Sequence, residues 1–341
     1  MTNELAAVLH DARDLRIEEI PPEPLHAGAV RVTVAATGLC GSDLHYYADG
    51  RNGPNVLRSP TVLGHETAGV VSEVAPDADP ELLGTLVAVE PARPCRRCPT
   101  CVSGRYNLCP SGRCFGSPPT HGTVRDTVVA DSELVHRVPP GMDVTEAALV
   151  EPLAVVCWAA HRAEITSGSR VLITGAGPIG QLAVAAARAA GAARIVLGDV
   201  APDRLASATG AGADEVVDLR DGDPGVEFTQ LLECSGSPEA LSTVNSLVPG
   251  GTAALVGVPA PRPPAPELLV TAQRWEIDVR GCFRYGPGAF ATAVSLVDRG
   301  RVDLARLLTA RFPLHRADEA VRTALDDRRH LKIAVMAREN A

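Results

Sequence analysis

The chain has 341 residues and a mass of 35.5 kDa, with 45% hydrophobic and 21% charged residues, so about two globular domains are expected and a disordered or fibrous chain is excluded. Its net charge of −9 and its 3% of aromatic residues argue against a protein that coats nucleic acid through charge or base stacking. No apolar run approaches the ~18 residues of a membrane span, and the charged N-terminal segment has no signal-peptide core, so we expect a cytoplasmic protein without nucleic-acid or membrane partners.

The predicted elements up to residue 148 are short strands separated by loops rich in glycine, proline and cysteine. Strands are predicted at 30–36, 69–74 and 124–130, where small, apolar and β-branched residues alternate or cluster. This part of the chain therefore predicts a β-rich domain.

From residue 149 the pattern changes to a regular alternation of strands and helices, which is typical of an α/β domain. Its predicted strands are 170–174, 194–199, 215–218, 231–234, 253–258 and 277–282. Its predicted helices are 181–190, 202–209 and 238–247, and the proline-rich stretch 259–266 is a predicted surface loop. The alternation stops after residue 283, and helices 288–299 and 318–326 and a strand 332–336 follow. We therefore predict one domain formed by 1–148 and 284–341, with 149–283 inserted into it.

A glycine-rich segment follows the buried strand 170–174 and opens a helix. It runs Gly175-Ala176-Gly177-Pro178-Ile179-Gly180, a spacing that lets the backbone approach a pyrophosphate at a helix N-terminus. Since the strand–turn–helix context is present, we interpret this segment as a dinucleotide site rather than as a packing motif of a non-binding domain.

Asp199 ends the next predicted strand, where a carboxylate binds both ribose hydroxyls and repels a 2′-phosphate. The sequence therefore predicts NAD rather than NADP as the cofactor. Arg204 leaves an alternative open, because an arginine near this position can bind a 2′-phosphate, although it also fits the adenosine edge or a solvated helix face. Val256, in the predicted strand 253–258, is a further predicted cofactor contact.

Four cysteines lie close together in the lobe 93–113, and 9 occur in the whole chain. In a reducing compartment they are expected as metal ligands or core residues rather than as disulfides. The spacing of Cys95, Cys98, Cys101 and Cys109 predicts a closed structural zinc site that does no chemistry. Arginines are expected to offset the charge of its thiolates: Arg93, Arg96, Arg97 and Arg105.

A second candidate metal set is spread along the chain and consists of Cys40, His65, Glu66 and Glu151. Taken singly, each is ordinary, because a lone cysteine or histidine is usually a core or hydrogen-bonding residue. Together a thiolate, an imidazole and carboxylates suit a catalytic zinc with an open coordination position. Spacing along the chain leaves open whether these side chains meet.

The order of these motifs resembles that of the zinc-containing medium-chain dehydrogenases over essentially the whole chain. The motifs are Cys40-Gly41-Ser42-Asp43, Gly64-His65-Glu66, the four cysteines, Glu151-Pro152-Leu153 and the glycine-rich segment. The pair His45-Tyr46 and the run Gly281-Cys282-Phe283-Arg284-Tyr285 are similar to the polyol branch, which contains sorbitol (L-iditol), xylitol and L-idonate 5-dehydrogenases.

The resemblance implies a GroES-like, β-rich catalytic domain with an inserted Rossmann domain, a doubly wound parallel sheet. It implies hydride transfer from a secondary alcohol of a polyol or sugar acid to NAD, two zinc ions per chain and a homotetramer or homodimer. Arg284 would bind either a substrate carboxylate, which favours L-idonate, or a neutral polyol terminus, which favours sorbitol.

The resemblance also assigns roles to single residues. Zinc would be held by Cys40, His65 and Glu66 with a water near Glu151, or with the two glutamates exchanging as ligand, and Asp43 would orient His65. Proton release would run through Ser42 and His45 or through Glu151. The residues expected to face the substrate are Tyr46, Phe115, Arg284 and Tyr285.

Three alternatives differ in the zinc site or in the substrate. A non-catalytic dinucleotide-binding relative is expected to lack a member of the metal set, and a zinc-free quinone reductase would lack the set itself. Another zinc alcohol dehydrogenase, of the threonine, amino-sugar or cyclitol type, would keep it. Since the fold alone does not distinguish these alternatives, the residues of the site must distinguish them.

Overall fold

A computed structural model describes residues 3–222, 224–258 and 266–337 of the chain. Contacts divide it into two compact units, Met1–Glu151 with Ala293–Arg299 and Asp303–Ala341, and Pro152–Thr292 with Gly300–Val302. The domain limits predicted from the sequence, after residues 148 and 283, lie before the divisions at Glu151 and Thr292. Each of these two divisions falls inside a helix, one beginning at Val150 and the other at Ala289. No helix in the described ranges has the length and apolar character needed to span a membrane.

The described strands are, in chain order, β1 (Glu4–Asp11), β2 (Asp14–Ile20), β3 (Ala29–Gly38), β4 (Arg51–Asn52), β5 (Asn55–Val56), β6 (Thr61–Val62), β7 (Glu66–Val74), β8 (Leu86–Val89), β9 (Ala92–Arg93), β10 (Arg113–Cys114), β11 (Thr127–Asp131), β12 (Val135–Arg137), β13 (Arg170–Thr174), β14 (Arg194–Asp199), β15 (Glu215–Asp218), β16 (Phe228–Glu233), β17 (Leu247–Leu255), β18 (Asp278–Gly281), β19 (Leu308–Pro313) and β20 (Lys332–Met336).

The described α-helices are α1 (Gly41–Asp49), α2 (Pro99–Val102), α3 (Val144–Ala148), α4 (Val150–Arg162), α5 (Pro178–Ala189), α6 (Pro202–Ala208), α7 (Pro266–Trp275), α8 (Ala289–Asp298) and α9 (Ala317–Asp326). Short 3₁₀ helices occupy Pro80–Leu82, Tyr106–Leu108, Ser132–Leu134, Leu219–Asp221, Glu239–Ser246, Ala305–Leu307 and Leu314–Arg316.

The first unit is built around a seven-stranded sheet in the order β12-β8-β7-β3-β20-β19, with β11 also paired to β3. Alternate valines of β3, among them Val30, Val32 and Val34, are at most 2% exposed and pack with valines of the neighbouring strands. This alternation of buried residues is the period-two pattern of a strand with one face in the core.

The register of this sheet brings three strand ends together. Gly38 at the end of β3 pairs with Glu66 at the start of β7, and on the other side with Ala334 of β20. Residues that follow β3, begin β7 and begin β20 are therefore neighbours in space although they are distant in the chain.

The second unit contains a six-stranded parallel sheet in the order β15-β14-β13-β16-β17-β18. Numbered within the sheet, this is the order 3-2-1-4-5-6 of the Rossmann fold, in which β13 and β16 lie at the switch point. Its central strand β13 is buried from Val171 to Thr174, because helices cover both faces of such sheets. The predicted doubly wound parallel sheet is confirmed.

One predicted helix has a different form. The segment predicted as helix 238–247 is a 3₁₀ helix over Glu239–Ser246. The hydroxyls of Ser242 and Thr243 donate to the carbonyls of Glu239 and Ala240, a local bond that competes with regular α-helical pairing. Of the predicted loop 259–266, residues 259–265 lie outside the described residues and Pro266 begins α7.

Candidate active site and metal centres

Cys40, His65 and Glu66 meet at the converging strand ends of the first unit. One ligand atom of each lies within 4.8 Å of the others, and Glu66 is fully buried. A thiolate, an imidazole and a carboxylate at this spacing form a three-ligand set of the kind that leaves a further position of a zinc ion open for a reactant.

Asp43 fixes the two segments that carry these ligands. It lies in the first turn of α1 and is completely buried, and its two oxygens accept hydrogen bonds from the amides of Cys40 and Gly64, both at 3.0 Å. Its carboxylate lies 3.8 Å from Nδ1 of His65, beyond hydrogen-bond distance. Asp43 therefore holds the backbone of both loops, and its predicted role in orienting the His65 ring stays a prediction.

The two oxygens of Glu66 have different surroundings. Oε1 accepts a hydrogen bond from the ammonium of Lys332, while Oε2 is buried and has no hydrogen-bond partner among the described residues. A Cβ atom at Gly38 would collide with Oε2, so the glycine leaves room for this carboxylate. A buried oxygen without a partner is costly, and a cation bound between Cys40 and His65 would satisfy it. The residues present therefore fit a zinc ion.

The surrounding charges also favour a cation. Burial lowers the pKa of His65, but Asp43 and Cys40 raise it more, so that on balance it lies well above its ordinary value. Burial raises the pKa of Glu151 to about 7, opposed by His65 and reinforced by Glu66. Glu151 thus interacts with the cluster from the start of α4, although it is not part of the 4.8 Å ligand set.

The other residues predicted around this site have mixed surroundings. Ser42 is half-buried in α1, and His45 is exposed, with its ring 3.8 Å from Asp49. Tyr46 is 1% exposed, and burial raises the pKa of its hydroxyl. Phe115 is 3% exposed within the core cluster of the seven-stranded sheet. Whether Phe115 also lines the substrate site stays a prediction.

The four cysteines of the lobe form a second compact set. The sulfur atoms of Cys95, Cys98, Cys101 and Cys109 all lie within 4.8 Å of one another. A hydrogen bond from the Thr100 hydroxyl, with one from the Cys101 amide, lowers the pKa of Cys98 to about 6. Four thiol ligands with one thiol already acidified suit a closed tetrahedral zinc site.

Two of the four arginines near this lobe pair with carboxylates. Arg93 binds Glu23 at 2.9 Å, and Arg96 binds Asp131 at 2.8 Å. These ion pairs tie the lobe to the β-sheet unit. That the arginines also offset the thiolate charge stays a prediction.

The glycine-rich turn of the second unit has the form that a dinucleotide requires. Gly175 has a positive φ of 92°, and a Cβ there would lie 2.9 Å from the amide nitrogen of Ser235. Gly180 packs so closely on this turn that a Cβ would collide with the carbonyl of Gly175. At Gly177 a Cβ would meet nothing within 4 Å, so open space remains beside the N-terminus of α5 for a pyrophosphate.

Asp199 lies at the end of β14, next to this turn. Its oxygens accept hydrogen bonds from the amides of Ala176 at 2.6 Å and of Val200 at 2.7 Å. Arg204 is half-buried on α6, and Val256 is half-buried just after β17 at the carboxyl edge of the sheet. Pro178 and Ile179 begin α5, half-buried beside the turn.

Arg284 and Tyr285 belong to the second unit. The guanidinium of Arg284 lies 4.7 Å from the ring centroid of Phe283, and its φ is 54°. Tyr285 is 1% exposed and packs edge-on against Phe290 with ring centroids 4.8 Å apart. Their part in substrate recognition stays a prediction.

Comparison with known proteins gives consistent matches. The alcohol dehydrogenase GroES-like domain family matches residues 26–140, and the zinc-binding dehydrogenase family matches residues 178–299. A sorbitol dehydrogenase from Bacillus subtilis is 37% identical over 333 residues, which cover 95% of this chain and 94% of that protein.

Two solved structures are similar over their full length. The crystal structure of L-idonate 5-dehydrogenase from Escherichia coli matches with a TM-score of 0.91 and 32% identity and covers 98% of both chains. A structure from Sinorhizobium meliloti, described as a zinc-binding dehydrogenase bound to NADP, has a TM-score of 0.89 and 27% identity and covers 98% of this chain and 100% of that one.

The matches agree with the two sheets and with the order of the motifs along the chain. The GroES-like domain, the Rossmann domain and the class of zinc-dependent alcohol or polyol dehydrogenase are confirmed. The chain belongs to the zinc-binding dehydrogenase family, in the polyol branch that includes sorbitol dehydrogenases and L-idonate 5-dehydrogenases.

Proposed function

We propose that this protein oxidises a secondary hydroxyl of a polyol or sugar acid to a ketone, with NAD as the hydride acceptor and zinc at Cys40, His65 and Glu66. The observation that carries this proposal is the compact ligand set of Cys40, His65 and the buried Glu66, in which one oxygen of Glu66 has no protein partner among the described residues. The relatives described as sorbitol dehydrogenase and L-idonate 5-dehydrogenase support the substrate class.

When bound, zinc supplies Lewis-acid chemistry to a hydroxyl oxygen, and the nicotinamide supplies a hydride acceptor. The residues of this chain do the positioning. Asp43 holds the Cys40 and Gly64 segments together through their amides. Glu66 and Glu151 place carboxylates around the cluster, and the raised pKa of Glu151 lets it hold a proton near neutral pH.

The substrate hydroxyl must lose its proton to solvent. Ser42 and His45 lie on α1, directly after Cys40, and His45 is exposed, so it can pass a proton to water. Glu151 offers a second route. The two routes start from different helices, the first from α1 and the second from Glu151 at the start of α4, and both are part of the proposal.

We propose two zinc ions per chain, the second at the four cysteines of the lobe, where it stabilises the fold. A cytoplasmic location and a homotetramer or homodimer complete the proposal.

The preference for NAD over NADP is proposed to depend on Asp199. A carboxylate at this strand end repels a 2′-phosphate and binds ribose hydroxyls. Asp199→Ala should therefore weaken NAD binding and reduce the difference in kcat/KM between NAD and NADP. We expect the ratio of kcat/KM for NAD over NADP to fall by about 10-fold or more, on the order of one charged hydrogen bond. Steady-state kinetics with both cofactors measure this ratio.

Arg204→Ala is the matched variant for this comparison. If the wild-type enzyme has a higher kcat/KM with NADP, and Arg204→Ala removes that advantage, Arg204 selects the cofactor and the role of Asp199 is refuted. The NADP-bound relative makes this outcome chemically reasonable.

The substrate class predicts strong discrimination against simple alcohols. A site built for several hydroxyls leaves buried polar groups unpaired when ethanol binds, and each costs on the order of 1–3 kcal/mol. Two such losses reduce kcat/KM by roughly 10² to 10⁴. NADH formation with sorbitol, xylitol and L-idonate, compared with ethanol and 2-propanol, measures this difference and tests the proposed function.

The same comparison also has an outcome that refutes the proposal. If ethanol is oxidised as efficiently as the best polyol or sugar acid, the substrate class is wrong. Preference for L-idonate over sorbitol would indicate that a cation, for which Arg284 is the candidate, pairs with the substrate carboxylate.

A further inference from the structure

Lys332 is the single lysine of the chain, and it is buried against the candidate zinc site. Its side chain is 4% exposed, and its ammonium donates to Oε1 of Glu66 and to the carbonyl of Leu39, the latter at 3.2 Å. Because an unpaired buried ammonium is very costly, a lysine at this position requires the ion pair with Glu66.

The sheet explains why a residue so far along the chain reaches Glu66. In β20, Ala334 pairs with Gly38 of the antiparallel strand β3. The start of β20 therefore lies beside the residues that follow β3, Leu39 and Cys40. Glu66 pairs with the same Gly38 from the other side.

The ion pair with Lys332 occupies one oxygen of Glu66, Oε1, deep inside the unit. The other oxygen, Oε2, is the one without a protein partner among the described residues, and it lies in the space left by Gly38.

We propose that Lys332 is a positioning residue, which binds Oε1 of Glu66 so that Oε2 is presented as the carboxylate ligand of the zinc ion. It thereby selects Glu66, rather than Glu151, as the third protein ligand. This inference rests on the proposed function, because it takes Cys40, His65 and Glu66 as the zinc site. It predicts that Lys332 affects the metal only through Glu66.

The test is a double-mutant cycle on metal affinity. The zinc dissociation constant is measured by chelator competition, in protein whose four-cysteine site is loaded, for the wild type, Lys332→Met, Glu66→Gln and the double variant. We expect Lys332→Met to weaken zinc binding by about 10–100-fold, the usual effect of removing a partner of a metal ligand. In the Glu66→Gln background, the same change should alter affinity by less than about twofold.

Spectra of the cobalt-substituted proteins report the ligand geometry directly, which zinc cannot do because its d shell is full. Lys332→Met should change the visible d–d bands, and Lys332→Arg, which keeps the charge, should restore both the bands and most of the affinity. Lys332→Gln replaces Lys332→Met if the latter does not fold, since it removes the charge but keeps a hydrogen-bond donor.

Arg125→Met is the matched control. Arg125 is also 4% exposed and is paired with the buried Glu4, so its loss tests the effect of removing a buried cation as such. It should lower stability and leave zinc affinity and the cobalt spectrum unchanged.

The possible results distinguish the role of Lys332 from the existence of the zinc site. A folded Lys332→Met or Lys332→Gln variant with wild-type affinity and spectrum overturns the role of Lys332. Equal weakening in the wild-type and Glu66→Gln backgrounds also overturns it, because it shows a merely structural effect. A wild-type protein that binds no zinc outside the four cysteines refutes the proposed function itself.

Discussion

We expect kcat/KM for NADH formation to be about 10³-fold lower in the His65→Ala variant, while the variant keeps its fold. His65 is one of three side chains in the candidate catalytic zinc set. A metal that polarises the reacting oxygen contributes several kcal/mol to transition-state stabilisation, and about 4 kcal/mol corresponds to a factor of about 10³. Steady-state kinetics with a polyol substrate, together with zinc analysis, measure both consequences.

His10→Ala is the control for this variant, because His10 lies in the same unit and pairs with Glu18 at 2.8 Å, away from the three ligands. It should keep both zinc content and turnover. If His65→Ala retains wild-type turnover, or loses its activity without losing zinc affinity, the ligand assignment is refuted.

We expect Cys98→Ser to act on stability instead. Cys98 is one of four clustered thiols, and Ser in its place is a poor ligand for zinc. Loss of a structural metal is among the largest effects that a single substitution has on stability. We therefore expect the free energy of unfolding to fall by about 3 kcal/mol and Tm to decrease by about 6–12 °C. Zinc content should fall by about one ion per chain, and the remaining folded protein should retain its turnover.

Cys114→Ala provides the comparison, since Cys114 is a buried cysteine of β10 that lies outside the cluster. It should keep the full zinc content. A Cys98→Ser protein with the zinc content and Tm of the wild type would show that the four cysteines do not hold a metal.

The Rossmann domain could be predicted well from the sequence because its signals are local. The strand 170–174, the glycine-rich turn and the helix after it are adjacent in the chain, and each has its own pattern. The four cysteines are also close in sequence. Local patterns were therefore sufficient to predict the Rossmann domain and the cluster of four cysteines.

Lys332 could not be predicted from such patterns, because it lies 266 residues from Glu66 in the chain. In the sequence it is an isolated lysine in an arginine-rich protein, a pattern that a compositional bias explains equally well. Its role depends on the pairing of β20 with β3, and this register is a tertiary feature. The only signal in the sequence was that a lysine remained where arginine is otherwise used.

Two arginines of the lobe have ion-pair partners that the sequence does not indicate. Arg93 binds Glu23 and Arg96 binds Asp131. These partners come from segments distant in sequence. A charged side chain pairs with whatever the fold brings to it, so sequence proximity is weak evidence for an ion pair.

The backbone contacts of Asp43 could not be predicted from the sequence. Its position after Cys40 suggested a partner for the metal site, and the structure places its oxygens on the amides of Cys40 and Gly64. Which atom a buried carboxylate binds depends on the loop conformation, since backbone amides are present at every residue.

The zinc dependence of NADH formation by the wild-type protein tests the proposed catalytic role of zinc most directly. Zinc is removed from the catalytic site with a chelator and then added back, while NADH formation is followed with the best substrate among sorbitol, xylitol and L-idonate. We predict that activity falls to about 1% or less and returns when about one equivalent of zinc per chain is restored. NADH formation that continues at the original rate without this zinc would contradict a catalytic role for the metal.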